Sequence, residues 1–424
     1  MKDRLGANAI ASGVQAIATA VILFVTYRFL VRTLSTEQFG LWALVASIAA
    51  VARLGDFGLG ASLSRFVAVE LAAGQRPAAA SLVQSSTLAV ALLAGAFAFL
   101  LYWPARAFLP RIVPEGLIGE ARALLPYTLA SLVLLVVGLT LSGALEGCQR
   151  FVQRAAVGIA GSLALLVGAL LLVPGHGVVG VGMAQVVQAI VVVLLAWALT
   201  RRELSIGALL PARFALSDLR KVWQFGLGVQ AISLMQLFVE PLAKILMTRF
   251  GGLSATGLFE LAYRVTIQFR APLVAATQVM LPAIASTAPD DRAALQEINA
   301  IAMRRLRPLT MVAFGGLLFA WPLVSLFLVG RVDAFLVGVG AILTVSWFVN
   351  TLCTPAYFTL LGQGNASWNL LAHVVIAVLT GVLCSLLGWA AGGAGVAIGH
   401  GVAIATGSLV SVFAYRRRLA ESVA

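Results

Sequence analysis

"GVQAI" occupies residues 13–17 and returns at 228–232, 215 positions later. That separation is about half of the 424-residue chain, so the first question is whether one fold is written twice. At the same offset, GVVGVGMAQVVQAIVVVLLAWALTRREL (177–204) lies over GGAGVAIGHGVAIATGSLVSVFAYRRRL (392–419). Gly177, Gly180, Val181, Arg201, Arg202 and Leu204 meet identical residues there, and Gly147 falls over Gly362. At an offset of 217, FGLWALVASIAAVAR (39–53) lies over TGLFELAYRVTIQFR (256–270), two residues of loop accounting for the change. Several blocks in one order point to internal duplication.

The composition names the solvent. The chain is 61% hydrophobic and only 11% charged, with a mean hydropathy of +1.01. Soluble domains carry roughly 25% charged residues. Apolar runs recur along the whole length, each long enough to cross about 30 Å of hydrocarbon as a helix. Backbone groups in lipid must be satisfied internally, which selects helices, and the ~10-residue alternating segments of a β-barrel are absent. The expected fold is an all-α polytopic membrane protein of about twelve spans. These run near 8–31, 39–68, 78–103, 121–146, 151–173, 177–200, 221–249, 255–286, 304–329, 334–361, 366–388 and 392–415. The basic start of the chain followed by a long apolar stretch is read as a retained first span.

An N-terminus on the cytoplasmic side puts 18 of the 29 basic residues there and seven on the other side, as the positive-inside rule asks. The net charge of +13 is therefore read as topology and not as nucleic-acid binding. Both termini are expected in the cytoplasm. The expected organisation is a six-helix lobe over 1–203, a cytoplasmic linker over 204–220, and a second six-helix lobe over 221–424. An even number of spans per repeat gives both lobes the same orientation, a geometry that suits a transporter opening alternately to either side. Cys148, Cys353 and Cys384 lie in or beside apolar helices, with no CxxC or Cys/His cluster, so neither a disulfide nor a metal site is expected. No cofactor is expected either.

Polar groups inside a bilayer are costly unless they face protein or water, so they mark the pathway. In the first span Asn8, Ser12, Gln15, Thr19 and Thr26 fall within about 60° of one another at 100° per residue. In the seventh, Gln230, Ser233, Gln236, Glu240, Lys244 and Thr248 form a stripe about 120° wide. Gln15 and Gln230 are the glutamines of the doubled peptide, placed to face one cavity from both repeats or to serve as interhelical glue. Arg53, Lys244, Arg264 and Arg270 lie deep in spans, as do Asp56, Glu240 and Glu260. Arg53 and Arg270 are repeat partners, and one arginine per repeat suits a polyanion, because a guanidinium stays charged and grips phosphate with two bonds. Local pairing is the bland reading: Arg53 with Asp56 at i,i+3, and Glu240 with Lys244 and Glu260 with Arg264 at i,i+4. Arg270 has no such neighbour. Glu240 stands directly before Pro241, an acid beside a kink, where a coupling ion can act. Asn369 and His373 share a face in the eleventh span, the histidine being more often an ordinary packed residue. Ser346, Asn350, Thr354 and Tyr357 share a face in the tenth and are read as cavity lining.

LSTEQFGLWALVASIAAVARLGDFGLGASLSRFVA (34–68) resembles the start of the Wzx-type polysaccharide (O-antigen and exopolysaccharide) flippases of the MATE-like MOP superfamily. The pattern is an acidic-aromatic-Gly loop (Glu37, Phe39, Gly40), an aspartate-aromatic-Gly-Leu turn (Asp56 to Leu59) and a basic residue (Arg65). KVWQFGLGV (221–229) is similar to the family's entry to its seventh helix, where Gly228 stands at a position often proline, and LEGCQRF (145–151) is similar to the segment before its fifth. The resemblance implies movement of an undecaprenyl-diphosphate-linked oligosaccharide from the cytoplasmic to the periplasmic leaflet of a bacterial inner membrane. It implies that Arg53, Lys244, Arg264 and Arg270 attract diphosphate or acidic sugars, with Gln15, Gln230 and Asn350 lining the path. By similarity, Glu240 with Asn369 would be the remnant of a cation site, His373 in place of a carboxylate would favour protons over sodium, and Asp56 is counted with them as an ion-coupling residue. Polymerase or export proteins would be partners.

Other readings stand beside this one. A multidrug antiporter of the same superfamily would need acids to dominate its cavity, and here four bases face three acids. A lipid II flippase would often carry extra spans. A membrane enzyme acting on a polyprenyl-linked glycan needs an acid, base or nucleophile presented at the outer face. The outer loops are short and offer only Glu37, Glu115, Glu120 and Asp333 as acids, so no enzyme is expected. The glycine cluster GHGVVGVG follows a helix and not a strand, which reads as helix packing rather than nucleotide binding.

Overall fold

A computed structural model describes residues 2–50, 59–278, 280, 284, 291–363 and 366–420. Every long element among them is helical: α1 (Lys2–Thr33), α2 (Thr36–Ala49), α3 (Leu59–Ala72), α4 (Arg76–Phe108), α5 (Ile118–Gly147), α6 (Phe151–Glu203), α7 (Leu216–Gln278), α8 (Arg292–Val329), α9 (Ala334–Leu352), α10 (Thr354–Gly362) and α11 (Ala366–Ala420). Six stretches among the described residues are long and apolar enough to cross a bilayer. Phe319 and Trp389 are each 85% exposed on such helices, which only a lipid surround makes tolerable.

Local chemistry sets the element ends. Ser35 caps α2 with a full capping box: its hydroxyl accepts from Gln38 N at 3.1 Å, and Gln38 Oε1 accepts from Ser35 N at 3.4 Å. The acidic-aromatic-Gly motif that was expected as a loop is therefore the first turns of a helix. Within the single span expected over 39–68, α2 runs to Ala49 and α3 begins at Leu59, and residues 51–58 lie outside the described residues. The tenth expected span is divided, because Pro355 cannot continue α9 and instead opens α10.

Three elements are too long for one crossing. The 53 residues of α6 would span about 80 Å as a straight helix. Each breaks at a glycine: Gly177 in α6, Gly252 in α7, and Gly392 beside Ala391 in α11. The contacts then step outward from each break, as in an antiparallel hairpin. In α6, Gly180 abuts Leu172, Gly168 abuts Ala184 and Gly161 abuts Val192. In α7, Thr248 Oγ1 lies 2.9 Å from Thr256 Oγ1, and Lys244 meets Glu260 further out. In α11, Gly395 abuts Leu387, Cys384 Sγ donates to Val396 O, and Gly407 abuts Ile376.

The duplication read in the sequence has a conformational counterpart. Gly177 (φ 54°, ψ −136°) and its partner Gly392 (φ 60°, ψ −143°) share one backbone conformation, in a region essentially reserved for glycine. Three residues on, Gly180 packs on the carbonyl of Leu172 and Gly395 on that of Leu387, again 215 positions apart. Gly147 and Gly362 each close a helix, α5 and α10.

The chain separates into two compact units, 1–231 and 232–424. In the first, Leu63, Val67, Val83, Val90, Val136, Leu141 and Trp197 join α3, α4, α5 and the second half of α6 in one core. In the second, Leu273, Leu306 and Phe314 bring together the second half of α7 and α8, with Trp347 of α9 against them.

Candidate functional site

The intramembrane charges of the second unit gather on α7. Glu240 and Lys244 lie on its first half, Glu260 and Arg264 on its second, and the turn at Gly252 brings them face to face. Lys244 Nζ stands 2.6 Å from Glu240 Oε1 and 2.6 Å from Glu260 Oε2. Arg264 Nε donates to Glu260 Oε1 at 2.7 Å, and its Nη2 lies 3.8 Å from Glu240 Oε1. The i,i+4 pairs expected from spacing are present, and the hairpin welds them into one neutral quartet. Lys244 and Glu260 are each 1% exposed, whereas the Arg264 side chain keeps 40% of its surface open. The Glu260 Oε2 contact is a close ion pair without a well-aimed hydrogen bond; Coulomb attraction holds it without needing direction. Lys244, expected to reach a ligand, is instead shut between two carboxylates, because the hairpin partner supplies the second acid.

Arg270 stands apart from the quartet. Its Nε donates to Asn350 Oδ1 at 3.0 Å, and Asn350 Nδ2 donates to Ser408 Oγ at 2.7 Å. Its Cζ sits 4.7 Å from the ring centroid of Trp347, and Trp347 meets Tyr263 edge-on at 6.1 Å. Among the described residues no carboxylate oxygen lies within 4 Å of the Arg270 guanidinium, and no hydrogen bond to them engages its terminal nitrogens. The indole below and the amide at Nε hold the plane of the fork, leaving its outer edge for two parallel bonds to an oxyanion.

Asn369 is fully buried, and its amide is committed: Nδ2 donates to Tyr357 O at 3.0 Å and Oδ1 accepts from Ser411 Oγ at 3.3 Å. His373 meets Tyr357 edge-on at 6.0 Å. Glu240 lies with Lys244, Glu260 and Arg264 in the α7 hairpin, whereas Asn369 is bonded to Tyr357 and Ser411. In the first unit, the half-buried Gln15 lays its amide against Gly158 of α6. The side chain of Gln230, and Arg53 and Asp56 altogether, lie outside the described residues. The three cysteines are free, and burial, reinforced by the Glu203 charge, pushes the Cys148 thiol up to about 11.

Sequence reasoning missed Tyr263, Trp347, Ser408 and His400. Tyr263 was within reach, since it precedes Arg270 by seven residues on the same helix face. His400 was within reach through the repeat. It is 1% exposed and meets Phe259 edge-on at 5.6 Å. Its counterpart Gln185 accepts from Trp42 Nε1 at 3.2 Å, and Trp42 is the counterpart of Phe259. One aromatic-to-polar contact is thus made twice, once per unit.

A sequence profile described as polysaccharide biosynthesis protein matches residues 5–288, about two thirds of the chain. The chain belongs to the polysaccharide biosynthesis protein family. No curated protein sequence is significantly similar to it. Among solved structures, an inward-facing multidrug resistance MATE family transporter of the MOP superfamily is similar at a TM-score of 0.74 and 16% identity, over 96% of this chain and 98% of that one. The lipid II flippase MurJ in an inward closed conformation is similar at 0.70 and 12% identity, over 96% and 87%. A MOP superfamily transporter from Pyrococcus furiosus, described as having a binding pocket of reversed polarity, is similar at 0.67 and 16% identity, over 97% and 95%. At these identities the likeness is one of fold: this family member is an all-helical, multi-pass membrane protein with the two-lobed architecture of those structures.

Proposed function

We propose that the protein is a flippase that carries a polyprenyl-diphosphate-linked oligosaccharide from the cytoplasmic to the periplasmic leaflet of a bacterial inner membrane by alternating access, with both termini cytoplasmic. The observation that carries this reading is Arg270: a permanently charged fork, braced by Trp347 and Asn350, with no carboxylate within 4 Å among the described residues. A diphosphate offers the paired oxygens that fork accepts. Sugar rings suit the aromatic face of Trp347 and Tyr263, while Asn350, bonded to Arg270 and to the buried Ser408, holds the fork in place. Arg264, with its open face, would assist as a second cation. The family's description and the lipid-linked substrate named for the MurJ structure lend support. Lipid II would present the same diphosphate, so it remains the neighbouring substrate reading.

An antiporter for organic cations is disfavoured, since Glu240 and Glu260 are both occupied by internal cations. The same geometry favours protons over sodium as the coupling ion: the Lys244 ammonium already fills the space between the two carboxylates. Neither a cofactor nor a catalytic step belongs to this reading, and polymerase or export proteins are its expected partners.

The test is translocation in proteoliposomes. A fluorescent polyprenyl-diphosphate oligosaccharide is followed by its accessibility to an external glycan-cleaving enzyme. Accessibility should rise with wild-type protein and be abolished by Arg270→Ala, while Arg270→Ala still inserts and elutes as folded protein. Normal movement by that variant would refute the site.

A further inference from the structure

The segment after α6 in the first unit does not leave the helix end. It reverses at Ser205 (φ 55°), with Ile206 N donating to Arg201 O at 2.9 Å, and folds back along the bundle. Trp197 Nε1 donates to Leu209 O at 2.6 Å, six residues, or about 9 Å, back from the end of α6 at Glu203. Gln84 Oε1 accepts from Ala212 N at 3.2 Å. Ser85 Oγ donates to Arg213 O at 3.4 Å and accepts from Ala215 N at 3.0 Å. Gln84 lies eight residues into α4, about 12 Å from its start at Arg76. A strap over 204–215 is therefore clamped beside two apolar helices and climbs away from their polar ends toward the bilayer.

The strap has two faces. Leu204 and Ile206 are buried against the core. Leu209 and Leu210 are 77% and 73% exposed, with Phe214 and Leu216 exposed beyond them. Exposed leucines on a segment held at the depth of Trp197 meet the lipid interface and not water. Between the strap and the helix ends is a cavity of about 460 Å³ lined by Arg76, Ser81, Gln84, Ser205 and Arg213. A smaller one of about 230 Å³ adjoins it, lined by Arg76, Arg150, Cys148 and Glu203. Arg150 is spent on Glu203 at 2.9 Å. Among the described residues no carboxylate oxygen lies within 4 Å of Arg76 or Arg213, and the larger cavity has no acid in its lining.

We propose that this strap and the larger cavity form a binding site for an anionic phospholipid of the surrounding leaflet. Arg76 and Arg213 hold its phosphate, Ser81, Gln84 and Ser205 take the glycerol and headgroup oxygens, and Leu209, Leu210 and Phe214 lie along its acyl chains. The cavity and the exposed strap are independent features of the molecule. Guanidinium groups that meet no acid among the described residues, in a polar cavity, ask for an anion; the exposed strap beside them asks for a chain attached to it. A free phosphate would answer only the first. The site lies within the first unit, shares no residue with Arg270, and holds whether or not the protein is a flippase.

The test uses the purified full chain in detergent, with retained lipid read by native mass spectrometry and Tm by tryptophan fluorescence. Phosphatidylglycerol should be retained and should raise Tm; phosphatidylcholine should do neither. The double variant R76Q/R213Q should hold phosphatidylglycerol at least about tenfold more weakly, as expected for two basic side chains at a membrane surface. The control R416Q/R417Q removes the same charge elsewhere and should bind as wild type. L209S/L210S should lose lipid retention while inorganic phosphate still binds. Equal retention by R76Q/R213Q and wild type would overturn the proposal. So would an equal effect of inorganic phosphate and phosphatidylglycerol, or displacement of phosphatidylglycerol by equimolar polyprenyl phosphate, which would make this a substrate site.

Discussion

Lys244 and Arg270 show how two cations on one helical hairpin acquire opposite roles. Lys244 carries a full charge at 1% exposure and is tolerable only because two carboxylates lie 2.6 Å from its nitrogen. Removing it takes the ammonium from the buried Glu260 and from the part-exposed Glu240, and leaves Arg264 to answer both. Lys244→Met should destabilise the protein by about 3–5 kcal/mol, the usual consequence of breaking a buried pair. The vacated space between Glu240 and Glu260 should then accept a small cation. The Tm of Lys244→Ala is expected to be higher in sodium chloride than in choline chloride at equal ionic strength, with wild type indifferent. Indifference of the variant as well would mean that the carboxylates are not poised around a cation position. Arg270 is the reverse case, a cation whose neighbours brace it without neutralising it. Local spacing could show that it lacks an i,i+4 acid, but not that Asn350, 80 residues on, would hold its Nε.

At the scale of elements, the hairpins are the working unit. Each lays its two halves against each other, and in α7 this turns two ordinary i,i+4 pairs into a quartet. The turns depend on glycine. At Gly177 and Gly392 any side chain would be forced into a conformation that costs about 1–3 kcal/mol. At Gly180 and Gly395 a Cβ would meet the carbonyl of Leu172 or Leu387. Gly177→Ala and Gly392→Ala should therefore lower Tm to similar extents, since the two turns are copies. Gly175→Ala, in the same stretch but with open space around it, should leave Tm unchanged. A neutral result at Gly177 and Gly392 would show that the turns relax and are not held by the backbone conformation described.

For the whole molecule, the proposed coupling makes an assertion about energy supply. With Lys244 in place of a mobile cation, translocation should continue when sodium is replaced by choline and should stop when an uncoupler dissipates the proton gradient. Movement that instead follows a sodium gradient would return Glu240 to the role of a metal-ion ligand and displace the account of Lys244. Efflux of cationic dyes in the same vesicles, without movement of the lipid-linked glycan, would turn the reading toward a multidrug antiporter.

The amino-acid sequence alone was enough to name the solvent, because 61% hydrophobic residues leave no aqueous fold open to the chain. It revealed the duplication, because glycines required at turns and close contacts recur at one offset in both halves. It also showed the pairs Glu240–Lys244 and Glu260–Arg264, because helix geometry alone joins residues four apart. Packing decided the rest. Lys244 was closed off by an acid from the opposite arm of a hairpin, Asn369 was spent on Tyr357 and Ser411, and Arg270 was braced by Trp347 and Asn350 of another helix. The strap over 204–215 reads as a plain linker until its backbone is seen bonded to Trp197, Gln84 and Ser85. Periodicity encodes which residues share a face over a few turns. Which face meets which, and so which charge is left open to a ligand, depends on how helices far apart in the chain are laid against one another.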